Sequence, residues 1–213
     1  MELANPARQG GIGVDAKAFW TVIAHYNEQT WGIQIILLAA VLSAIVLSYR
    51  QNVRWAAKAS LGILNLFIGL VFFAGYGTEP VQTYFALPLF LFCGILFLYE
   101  CRRSPNDVLE MPNKPQTLLW LLYLLYPLVS IFFGNAFPQM VTYIMPCPAA
   151  SLSIIVYTGY RRKNKVLLAL LTIWGLTGIK SILFHAYEDL ILLICGLYGA
   201  AQLIREIRPS KAK

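Results

Sequence analysis

Residues 31–49 read Trp-Gly-Ile-Gln-Ile-Ile-Leu-Leu-Ala-Ala-Val-Leu-Ser-Ala-Ile-Val-Leu-Ser-Tyr, and Arg50 follows at once. The stretch carries no charge. As a helix it would be about 30 Å long at ~1.5 Å per residue, which matches the ~30 Å hydrocarbon core of a bilayer. Moving outward, the pattern repeats. Similar apolar runs cover 57–76, 82–100, 118–136, 141–160, 165–183 and 187–204, so the sequence predicts seven transmembrane helices. The last two are separated because His185, Glu188 and Asp189 interrupt the run. Charge at mid-membrane costs at least ~2.5 kcal/mol per group, and a tight turn at 184–188 removes it from the lipid. Composition agrees. The chain is 58% hydrophobic and 13% charged, against roughly 25% charged in soluble domains. The predicted fold class is all-α, an integral membrane bundle.

Positive charge orients the bundle. With the N-terminus outside and the C-terminus in the cytoplasm, fourteen of the seventeen Lys and Arg residues fall inside. They are Arg50, Arg54, Lys58, Arg102, Arg103, Lys114, Arg161, Arg162, Lys163, Lys165, Arg205, Arg208, Lys211 and Lys213; Arg8, Lys17 and Lys180 fall outside. That split follows the positive-inside rule. Six of the ten acids lie outside, leaving net charges of −3 outside and +10 inside. The inner face should favour anionic lipid headgroups, and the outer face cations. The basic residues form short clusters between apolar runs, which argues against nucleic acid as a partner. No signal peptide is visible, so the first span is expected to direct insertion.

The domain reading is therefore an extracytoplasmic tail at 1–30, a seven-helix domain at 31–205 and a basic cytoplasmic tail at 206–213. Phe19, Trp20, Val22, Ile23, Tyr26 and Thr30 fall on one helical face, with Asp15 as a cap. They predict an amphipathic helix lying on the outer interface.

Three constellations could carry chemistry. Met145-Pro146-Cys147-Pro148 puts two prolines into the fifth helix, freeing the carbonyls of Thr142 and Ile144. Cys147 falls about 20 Å from the inner boundary. It reads either as a packing cysteine at a kink or, with Met145 and His185, as a soft-metal ligand. Tyr26-Asn27-Glu28-x-x-Trp31-x-x-Gln34 places polar groups at the start of the first span. His185-x-x-Glu188-Asp189 forms an acidic outer turn near Lys180. Pro88 and the Pro146/Pro148 pair lie in the outer halves of their helices and Pro127 near the middle of its own. A kinked, polar outer half suggests a cavity opening outward. Cys93, Cys101, Cys147 and Cys195 show no paired spacing. Nucleotide loops and an HExxH zinc motif are missing. So are a mid-helix lysine in the last span and an arginine ladder. No cofactor is indicated.

At Tyr26-Asn27-Glu28…Trp31…Gln34, Met145-Pro146-Cys147-Pro148 and Glu188-Asp189-Leu190 the chain resembles an uncharacterised bacterial family of multi-span membrane proteins, a domain of unknown function. The resemblance extends over almost the whole chain and implies an inner-membrane helical protein. Family members often carry Thr-Thr after Pro-Cys-Pro, where this chain has Ala149-Ala150.

The leading functional expectation is binding or transport of a small polar solute or cation. Its site would draw on Tyr26, Asn27, Glu28, Gln34, Cys147, His185, Glu188 and Asp189. A second expectation is an accessory subunit with a membrane-protein partner or a second copy of itself. It is motivated by Gly175/Gly178 and Gly196/Gly199, which suit close helix packing. A third is a membrane enzyme using Cys147 as nucleophile, or Glu28 with His185 as acid and base.

Overall fold

A computed structural model describes residues 16–181 and 186–208. Among these the chain is all-helical, without a named strand. The helices are α1 (Ala16–Tyr49), α2 (Ala56–Tyr76), α3 (Gln82–Arg103), α4 (Lys114–Leu124), α5 (Tyr126–Phe132), α6 (Pro146–Tyr157), α7 (Lys165–Leu176) and α8 (Tyr187–Ile207). Four of them, α1, α2, α3 and α8, are long and apolar enough to cross a membrane. The bent pair α4–α5 makes a fifth if counted as one span. Large apolar side chains such as Ile36, Leu70, Phe92 and Phe132 face outward, each more than half exposed. Apolar surface on this scale belongs against lipid.

α1 corrects the first expectation. The helix predicted before residue 30 and the span predicted after it are one uninterrupted helix of 34 residues, about 51 Å long at ~1.5 Å per residue. Its early apolar face does not lie on a lipid surface. Ile23, Tyr26 and Thr30 are buried in the bundle, and Phe19, Trp20 and Val22 pack against the core.

The predicted fourth span bends by 48° at Leu125. Pro127 follows and lacks the N–H that would continue the ladder. The predicted fifth span is helical only over α6. Residues 141–145 are not helical, and Met145 is extended at the helix N-cap. Pro146 and Pro148 therefore start a helix rather than kink one, as the fixed φ of proline favours. The predicted sixth span stops as an α-helix at Leu176 and tightens into a 3-10 turn over Thr177–Lys180. Residues 187–189 of the predicted outer turn form a second 3-10 turn leading into α8.

α6 is the axle of the molecule. Eleven of its twelve residues are buried, and it packs against α2, α4, α7 and α8. A helix that is apolar all round belongs inside a bundle. Its polar exceptions turn back on their own helix: Ser151 donates to the Cys147 carbonyl (2.9 Å) and Ser153 to that of Ala149 (2.8 Å). At about 18 Å, α6 is shorter than a hydrocarbon core of ~30 Å, so its first turn opens within the bundle.

α7 and α8 touch backbone to backbone. A Cβ on Gly175 would lie 2.6 Å from Cα of Gly196, and one on Gly178 2.7 Å from the Leu193 nitrogen. These glycines serve packing inside the chain and give no argument for a partner subunit.

The connections at 50–55, 104–113 and 158–164 meet at one end of the bundle together with the end of α8. Gln51 donates to the Leu109 carbonyl (3.0 Å), Arg54 to that of Asn106 (3.3 Å) and Lys163 to Glu206 (3.0 Å). Lys58 is fully buried there, 2.8 Å from Asp107 and 3.9 Å from Glu100, with its Nζ 4.4 Å from the centroid of the Tyr160 ring. The basic clusters of the sequence flank this end. The start of α1, the end of α2 and the start of α8 lie at the other.

Candidate functional site: a cavity at Cys147 and Asp189

The nine residues before α6 lack helical hydrogen bonds, and their backbone needs partners. α1 supplies them. The Tyr26 hydroxyl donates to the Ile144 carbonyl (2.6 Å), one of the two groups that the prolines were expected to free. The Asn27 amide donates to the carbonyls of Pro138 and Met140, both at 2.8 Å. Gln34 donates to Asn27 Oδ1 (3.1 Å) and accepts from the Thr142 hydroxyl (2.7 Å). Tyr26, Asn27 and Gln34, spaced along one face of α1, thus form a clamp that holds the non-helical segment before α6.

The clamp delivers Cys147 to a cavity of about 230 Å³ lined by residues from α1, α3, α6, α7 and α8. A smaller cavity of about 100 Å³ shares Phe19, Gln82, Cys147, Trp174 and Asp189 with it. The wall is mainly carbon: Phe19, Val81, Phe85, Trp174 and Leu192. Phe85 and Trp174 are stacked, with centroids 6.4 Å apart and planes inclined at 25°. Glu79 and Lys180 add one charge of each sign, and Cys147, Ser181 and Asp189 complete the polar part.

The acidic pair lies on the first turn of α8, where the helix dipole favours carboxylates. Asp189 occupies the N-cap position yet makes no capping bond. It lines the cavity together with Cys147. Glu188, beside it, is fully buried. Its Oε1 accepts from the Ser130 hydroxyl (2.9 Å), which in turn accepts from the Val141 N–H (3.0 Å). The extended segment, α5 and α8 are joined through that one hydroxyl. Asp189 Oδ1, Ser181 Oγ and Trp174 Nε1 are buried without a hydrogen-bond partner among the described residues. A buried polar atom left unpaired costs about 1–3 kcal/mol, so three such atoms belonging to cavity-lining residues mark a place for something with donors and acceptors of its own.

The residues singled out in the sequence divide into three groups. Cys147 and Asp189 meet in the cavity, with Glu188 directly behind. Tyr26, Asn27 and Gln34 act on the extended segment instead and line neither cavity. Glu28 is exposed on the opposite face of α1 and reaches neither. His185 lies outside the described residues. Met145 lines the smaller cavity, and its sulfur accepts from the Thr142 N–H at 3.3 Å. Among the described residues no three His, Cys, Asp or Glu side chains gather as a metal site. Ala149 and Ala150 are buried and line neither cavity. Sequence reasoning missed Ser130, Gln82, Phe85, Trp174 and Ser181. Each is unremarkable within an apolar run, and only packing brings Ser130 to Glu188 and the others into the cavity wall with Asp189.

Among the described residues, fold and cavity together define an all-helical bundle with several helices able to cross a membrane and a mainly apolar cavity with Cys147 and Asp189 in its wall. The chain belongs to the family of unknown function DUF6064, which it matches over residues 16–213. No curated protein and no solved structure matches it.

Proposed function

We propose that the protein is a multi-pass protein of a bacterial inner membrane whose outward-facing cavity binds a small polar solute or cation, for passage or for sensing. In this reading the chain crosses seven times, N-terminus outside. The extended segment with α6 makes the fifth crossing, and α7 with its 3-10 turn the sixth. Non-helical backbone at membrane depth is tolerated where it is buried in protein or lines a wet cavity; Val141, Ile144 and Met145 are buried, and Val141 and Met145 line the smaller cavity. The uneven distribution of Lys and Arg supports the orientation.

The observation that carries the reading is that Asp189, Ser181 and Trp174, which line one cavity, each have a buried polar atom without a hydrogen-bond partner among the described residues. The test compares two proteins that each keep a single cysteine, Cys147 or Cys93. Cys93 is fully buried. In membranes, neutral methyl methanethiosulfonate should modify Cys147 readily and leave Cys93 unmodified. Equal resistance of both thiols would show that the wall at Cys147 is closed to solutes and remove the reading.

A further inference from the structure

We infer that the cavity selects small organic cations, an alkyl or arylalkyl ammonium held by Asp189 with its hydrocarbon part against Phe85 and Trp174. This rests on the cavity being a solute site and names the class of solute.

The first ground is the start of α6. A helix N-terminus ordinarily binds anions, because its first N–H groups are free and its dipole is positive there. Here two of the first three positions are Pro146 and Pro148, which have no N–H. The next, Ala149, donates to the Met145 carbonyl at 2.9 Å. Only the Cys147 N–H is left, so the feature that would hold an anion has been dismantled.

The second ground is the charge that remains. Asp189 is more than nine-tenths buried and lines the cavity beside Cys147, and its Oδ1 has no hydrogen-bond partner among the described residues. Glu188 lies behind it, and Glu79 opposes Lys180 at the wall. Acids outnumber the single lysine, and field lines concentrate in a low-dielectric cleft.

The third ground separates organic from inorganic cations. Calcium takes about 6–8 oxygen ligands and magnesium about six. This wall is mostly carbon, and a bare metal ion would lose its hydration there without replacement. An organic ammonium carries a single charge that one carboxylate can pair, brings hydrocarbon that suits a carbon wall, and gains from aromatic faces. The size agrees, since about 230 Å³ is below the roughly 300–1,000 Å³ of drug-sized sites.

The test uses the full chain with Cys147 as its only cysteine, in membranes, and three methanethiosulfonates: trimethylammonioethyl, sulfonatoethyl and methyl. Thr78→Cys, exposed at the same end of the bundle, is made separately as the reference thiol. The cation-to-anion rate ratio at Cys147 should exceed that of the reference by about tenfold or more, as expected for a focused field. Asp189→Asn should bring it close to the reference ratio. With Asp189 intact, phenethylammonium should slow modification of Cys147, and its neutral isostere 3-phenylpropanol should not. A Cys147 ratio equal to or below the reference, or protection by the alcohol as strong as by the amine, overturns the cation assignment and leaves the solute cavity standing. Failure of all three reagents at Cys147, while Thr78→Cys reacts, overturns the cavity reading and this inference with it.

Discussion

Lys58 holds a formal charge at a position with no side-chain exposure, between two acids that are themselves nearly buried. Removing one member of such a group leaves the others charged and unpaired, which costs about 3–5 kcal/mol. Lys58→Met is therefore expected to lower the melting temperature in detergent markedly. Adding Asp107→Asn should recover part of the loss, and strictly additive effects would contradict the coupling. Ser130 is the second single residue on which much depends. Ser130→Ala strands Glu188 Oε1 and the Val141 N–H together, with an expected loss of about 1–3 kcal/mol. A melting curve unchanged from the parent would show that the hydroxyl bridge contributes nothing. Neither residue stands out in the sequence. Lys58 reads as one of many topogenic cations, and Ser130 as a lone hydroxyl in an apolar helix.

Helices α7 and α8 have chemically simple sequences, and their contact depends on what is missing. A Cβ at Gly196 would fall 2.7 Å from the Leu176 nitrogen, and backbone cannot yield as a flexible side chain can. Gly196→Ala should destabilise by about 1–3 kcal/mol through overpacking. Gly32, inside α1, has nothing within 4 Å of a built Cβ. Gly32→Ala should leave stability unchanged or raise it by about 0.5–1 kcal/mol, since glycine within a helix is disfavoured relative to alanine. Melting temperatures of the two variants should move in opposite directions or differ clearly in size. The same elements show why predicted and observed helices differ. Hydropathy reports which residues avoid water. It does not report where a proline begins a helix rather than bending one, so it makes α6 several residues too long. It also cannot tell a face turned to lipid from a face turned to protein, so it places the start of α1 at the interface.

At the scale of the whole molecule, the two ends differ in kind. One holds the basic clusters, the buried Lys58 group and the joined connections. The other holds the cavity and the acidic turn. This asymmetry makes a sided prediction for the membrane. A reporter fused beyond Ile207 should be cytoplasmic. Thr78→Cys should react with an impermeant maleimide from outside, and Asn106→Cys only after permeabilisation. Both positions are exposed, so labelling of the two from the same side would overturn the proposed orientation.

The amino-acid order alone determined that the chain is helical and apolar, roughly where its hydrophobic runs begin and end, and which of its loops are basic. Those properties follow from transfer of side chains between water and hydrocarbon, which is local and nearly additive along the chain. The cavity was decided only by the tertiary structure. It needs Tyr26 and Asn27 to satisfy backbone, and Gln34 to hold the Thr142 hydroxyl, more than a hundred residues away, so that α6 opens beside α8 and Cys147 meets Asp189. Hydrogen-bond satisfaction and close packing join distant residues in pairs, and no reading of neighbours along the chain contains those pairings.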